Sequence, residues 1–153
     1  MSRAATFTMV RRSLWRSERF ARLHGDRERL LYLYLLTCAH ITSCGVYRLP
    51  DGYACADLGW KLDDYVAARD RVKAVGLIQH DPETEEIAID RYLHACPPAN
   101  PKHAQGVRNM IYGIESDKLR EAAEEAFAEV WTAAPAEGGS RLTQTGYFNG
   151  RDR

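Results

Sequence analysis

The 153-residue sequence predicts a mainly α protein with a small β-wing (α+β): a winged helix-turn-helix domain carrying a C-terminal helical extension. Three observations predict it. Within residues 45–93 a strand pattern, Gly45-Val46-Tyr47-Arg48-Leu49, leads into two helical patterns and then into two short apolar runs around an acidic turn. Gly59 and Gly76 stand where those two helices should stop. Beyond the stiff Pro97-Pro98-Ala99-Asn100-Pro101 segment come two more helical patterns. Residues 1–25 then form a basic arm, 26–96 the winged-helix domain, 97–132 the helical extension and 133–153 a Pro-, Gly- and Ser-rich flexible tail.

The arm interleaves Phe7, Leu14, Trp15 and Phe20 with Arg11, Arg12, Arg16, Arg19 and Arg22, and part of it reads as a short strand or a helical turn. His24-Gly25-Asp26 breaks it, with Asp26 placed to accept orphan backbone N–H groups as an N-cap. The helix that follows, about residues 27–40, is apolar almost all round from Leu30 to Leu36, as befits a helix in the middle of a core. Thr42-Ser43-Cys44-Gly45 ends it, and residues 46–49 read as a strand. Pro50 suits a first helical turn running to about Leu58. The next helix, about residues 62–75, places Tyr65, Ala68, Val72 and Val75 on one face. Residues 77–80 and 86–90 are short strands around Asp81-Pro82-Glu83-Thr84-Glu85. Residues 102–114 form one extension helix; Ser116 caps another, with Leu119, Ala123, Ala126, Phe127, Val130 and Trp131 at helical spacing. Leu30, Leu31, Tyr34, Leu35, Leu58, Val72, Leu77 and Ile89 are expected to share one core.

Net charge is zero but segregated. Residues 1–48 carry nine arginines against three acids, a balance of +6; residues 49–90 carry four bases against ten acids, −6. Partners sense such local potential within about a Debye length, ~8 Å at physiological salt. No apolar run approaches the ~18 residues of a membrane span, and no signal peptide is recognisable, so a cytoplasmic location without membrane contact is expected. Cys38, Cys44, Cys55 and Cys96 include no C-x-x-C pair. Cys38, His40 and Cys44 with His94 and Cys96 match no common zinc spacing, and core packing is the simpler role for the thiols. No phosphate loop and no G-x-S-x-G elbow occurs. Asp63-Asp64 with Glu85-Glu86 would be the one acidic cluster to consider for a metal, but such residues suit a helix start and a turn. No enzyme activity, cofactor or metal is therefore expected.

Taken together, LWRSERFARLHGDRERLLYLYLLTCAH, GVYRLPDGYACADLGW, VKAVGLIQHDPETEEIAIDRYL and NPKHAQGVRNMI resemble the N-terminal region of phage replisome-organiser proteins, the winged-helix replication initiators of phages and prophages. The resemblance spans about residues 10–112. It implies a winged helix, binding to an origin-like site on double-stranded DNA, and contact with replication proteins such as a helicase or its loader. Longer members carry a further C-terminal domain for that recruitment, which this chain is expected to lack.

The residues temper this. A second helix that enters the major groove reads base edges with Arg, Lys, Asn or Gln. Here its outward face would carry Asp63, Ala67, Asp70 and Ala74, with Arg69, Arg71 and Lys73 at the flanks. Phosphate contact is better assigned to Arg11, Arg12, Arg16, Arg19 and Arg22, with Trp15 or Phe20 as stacking or packing anchors; Lys102, His103 and Arg108 form a second basic patch, a pattern that is more often an ordinary solvated helix face. The competing arrangement is an arm that packs Leu14, Trp15 and Phe20 on the core and leaves its arginines in water. The wing acids Asp81, Glu83, Glu85 and Glu86 would repel phosphate. They suit instead an interaction module that docks on a basic protein surface, an inhibitor of a nucleic-acid enzyme, or head-to-tail self-association as a homodimer.

Overall fold

The computed structural model describes residues 7–132, so the expected tail at 133–153 and the first six residues of the arm lie outside the described residues. Among the described residues the chain is mainly helical, with seven α-helices and one three-stranded antiparallel sheet. A 3-10 turn, Arg12–Arg16, precedes α1 (Glu18–Ala21) and α2 (Asp26–Thr37). Strand β1 (Val46–Arg48) leads to α3 (Asp51–Leu58) and α4 (Leu62–Ala74), then to the hairpin β2 (Ile78–Asp81) and β3 (Glu86–Ile89). A short α5 (Tyr92–Ala95), α6 (Pro101–Tyr112) and α7 (Asp117–Thr132) complete it. None of these helices is long and apolar enough to cross a membrane.

The helix stops fall where the glycines stand: Gly59 and Gly76 take left-handed φ values of 67° and 77°, which a residue without Cβ adopts at little cost. Asp26, expected as an N-cap, is the first residue of α2, and Gly25 occupies the cap position instead. An ideal Cβ at Gly25 would stand 1.8 Å from Glu28 Oε2, so the Glu28 carboxylate, curled back over the helix start, fills the space a capping side chain would need.

The sheet order is β1-β3-β2, with Val46 opposite Ala88, Tyr47 opposite Ile87, and Ile78 opposite Ile89. Side chains alternate across a strand, and both faces are covered. Tyr47, Ile78, Ile87 and Ile89 join Leu31, Leu35, Tyr65, Val72 and Leu77 in a core under α2–α4. Val46 and Ala88 face the other way, onto Val107, Ile111, Leu119 and Phe127 of α6 and α7. The helices after residue 97 thus pack as a further layer on the second face of the sheet.

Seven of the eight expected core residues behave as written or lie close to it. Leu31, Leu35, Val72, Leu77 and Ile89 are buried, while Tyr34 and Leu58 are half-buried against the same cluster. Leu30 is the correction: it is 50% exposed. The apolar run 30–36 exceeds what α2 can bury, because the sheet and α4 cover only one side of it. Phe20 and Leu23, assigned by sequence to the arm, belong to the core.

Candidate nucleic-acid interface

The arm is tied to the body by one side of its 3-10 turn. Leu14 packs against the main core, and Arg11 donates to the carbonyl of Ala95 in α5. Ser17 then caps α1, its hydroxyl accepting from the Phe20 N–H at 3.4 Å. Arg19 straps the arm down: Nη1 donates to Asp90 Oδ2 at 2.5 Å, just after β3, and to the carbonyl of Gly76 before β2. Phe20 is buried while Trp15 is 66% exposed, so the two aromatic candidates divide their roles, Phe20 packing and Trp15 facing water. Arg12, Arg16 and Arg22 are exposed, and among the described residues no hydrogen bond or ion pair engages their side chains. A groove of about 360 Å³ runs between arm and body, bordered by Arg11, Arg19, Tyr32, Asp90 and Arg91. Arg91 is a cation that sequence reasoning did not single out as a site; it is exposed, with a left-handed φ of 55°, and its only sequence signal is its place two residues beyond β3.

The flanks of α4 are largely spent on the fold. Arg69 is buried: Nη1 lies 2.7 Å from Asp51 Oδ1, and its guanidinium stands 5.5 Å over the Tyr65 ring. The Tyr65 hydroxyl is buried without a partner, and burial pushes its pKa up to about 12. Arg71 pairs with the buried Glu28, whose carboxyl that guanidinium holds below its ordinary value. Lys73 remains exposed, as do Asp63, Ala67, Asp70 and Ala74 on the outward face. The face that would enter a groove thus offers one uncommitted cation, Lys73, beside the exposed Asp63 and Asp70.

The β2–β3 hairpin, expected as a wing, is the larger departure. Glu86 is buried, and its two oxygens accept the backbone N–H of Glu115 at 3.0 Å, that of Ser116 at 2.7 Å, and the Thr84 hydroxyl at 3.0 Å. Asp81, its cross-strand neighbour, accepts from Ser116 Oγ at 2.5 Å and from the Glu83 N–H at 2.9 Å, which lowers its pKa. Two wing carboxylates therefore hold the start of α7, where unpaired N–H groups and the helix dipole favour negative charge. Glu85 pairs with Arg48 at 2.6 Å. Only Glu83 of the four remains fully exposed and outside an ion pair among the described residues. The signal for Glu86 lay in the strand alternation: it shares a face with Ala88, and that face is buried once a second helical layer covers the sheet.

In the extension, Lys102 is exposed at the start of α6, and Arg108 lies 5.2 Å over the Phe127 ring, so the two are separated along the helix and only Lys102 is uncommitted. Asp64 pairs with Arg27, which together with the Glu85–Arg48 and Glu86 contacts disperses the acidic cluster considered for a metal. His40 stacks on Tyr53, His94 contacts Glu129, and Cys44 Sγ contacts the Thr42 hydroxyl, so these side chains point to separate neighbours. No protein-family model, curated protein or solved structure matches the chain.

Proposed function

We propose that the chain is a non-catalytic double-stranded DNA-binding protein of phage or prophage type, resembling a replication initiator and built as a winged helix. The element order α2, β1, α3, α4, β2, β3, with β3 at the centre of the sheet, is the order expected of that fold. The observation that carries the function is the set Arg12, Arg16 and Arg22, three guanidinium groups left open to solvent beside this body. Because α4 keeps so few free donors, binding is dominated by phosphate contacts from the arm, with Lys73 and Lys102 as lesser contributors; base-edge readout is weak.

Retention of a labelled duplex, measured from low to physiological salt, tests this. Each phosphate contact contributes about 0.9 to the slope of log affinity against log salt. Replacing Arg12, Arg16 and Arg22 together by Ala should reduce that slope by about 2–3. No duplex retention by the unaltered protein at low salt overturns the proposal. The protein-interaction module stands second, because three of its four wing acids already have partners within the fold and only Glu83 is left to meet a basic surface.

A further inference from the structure

A 3-10 turn has three residues per turn, so side chains three apart lie in columns. In Arg12–Arg16 this sorts the arm into two sides. One column, Arg11, Leu14 and Ser17, is the anchored one: Arg11 donates to Ala95, Leu14 packs on the core, Ser17 caps α1. The turn is closed by Leu14 N–H to the Arg11 carbonyl at 3.1 Å and Ser17 N–H to the Leu14 carbonyl at 3.0 Å. Arg12 and Trp15 form the next column and Arg16 stands beside them, all three exposed. Trp15 is not loose: its ring meets the buried Phe20 ring edge-on, centroids 5.4 Å apart and planes at 85°. A tryptophan braced on one side by Phe20, open over most of its surface and flanked in sequence by two arginines without partners among the described residues is costly to leave in water.

We infer that this column, Arg12–Trp15–Arg16, is a binding site for an unpaired nucleic-acid strand, with Trp15 stacking on a base and the arginines meeting the flanking phosphates. A duplex presents phosphates to the arginines but keeps its base faces stacked, so Trp15 adds nothing there. An unpaired strand offers a π-face at every base, and stacking on aromatic side chains is tolerant of sequence. The inference rests on the nucleic-acid function proposed above and adds to duplex contact a second mode at the arm, capture of a separated strand.

The test compares a fluorescein-labelled oligothymidylate of about 16 nucleotides with a duplex of equal length, by anisotropy at one fixed salt concentration. Trp15→Leu should weaken strand binding by about tenfold or more while leaving duplex binding within about twofold. Trp15→Phe, which keeps an aromatic face, should recover most of the strand affinity. Thermal melting of both variants should match the unaltered protein, since the side chain is exposed. Duplex binding intact and strand binding indifferent to Trp15→Leu overturns the inference and leaves the DNA function standing. Equal weakening on strand and duplex also overturns it. Binding to neither probe by the unaltered protein overturns both.

Discussion

Two buried carboxylates set the local chemistry of this protein, and each gives a measurable expectation. Glu86→Ala removes the acceptor for the half-buried Glu115 N–H and the buried Ser116 N–H. Buried donors left unpaired make the cost roughly 2–4 kcal/mol, and Glu86→Gln, which keeps one acceptor oxygen, should cost less. Urea midpoints of the three proteins at neutral pH check the order. Glu28 bears on acid stability. Its folded-state pKa lies below the ordinary 4.5, chiefly because it accepts from Arg71. A depressed carboxylate contributes stability that is present above the unfolded value and is lost as pH falls through the folded one. The protein should therefore lose stability as pH is lowered below about 4.5, and Glu28→Gln should flatten that acid limb in a pH series of urea midpoints. A limb of unchanged steepness in the variant would remove Glu28 from the account. The burial of both acids escaped sequence reasoning for one reason. Charged residues in a turn or a first helical turn are ordinarily solvated, and only tertiary contacts, α7 for Glu86 and Arg71 for Glu28, bury them.

At the scale of the element, α2 separates apolar composition from burial. Leu35 is fully buried under the sheet, whereas Leu30, on the same helix, is half in water. Leu35→Ala should cost about 2–5 kcal/mol, and Leu30→Ala should change stability by no more than about 0.5 kcal/mol. A comparable loss from both would mean that the outer side of α2 is covered in solution. Helix and strand positions followed from local signals: glycine stops at 59 and 76, Ser116 as a cap, and alternation in β3. What local signals did not contain was the partner of each face. The run 30–36 is apolar on more sides than α2 can bury, and Arg69 and Arg71 fall at positions where a helix wheel cannot distinguish a phosphate ligand from the far half of an ion pair. Of the basic candidates, Arg12, Arg16, Arg22, Lys73 and Lys102 stay uncommitted among the described residues, while Arg11, Arg19, Arg69, Arg71 and Arg108 are engaged with the fold.

For the molecule as a whole, the shared sheet makes one cooperative unit out of two helical layers. Trp60 packs against the first core and Trp131 against the second, so single-tryptophan variants retaining one or the other report each side. Their urea transitions should coincide, as expected when neither layer is stable without the strands between them. Separate midpoints would show the extension to be an independent unit. Covering both faces also leaves the sheet very little perimeter on which another chain could assemble. Its outer strands are three and four residues long, and the carbonyl of Val46 on one of them already accepts the Thr42 hydroxyl at 2.7 Å. Strands this short make poor templates for a foreign strand. Misassembly of this protein is therefore expected to begin not by growth at the sheet margin but by detachment of α6 and α7, which would bare the Val46 and Ala88 side of the sheet as a sticky plane.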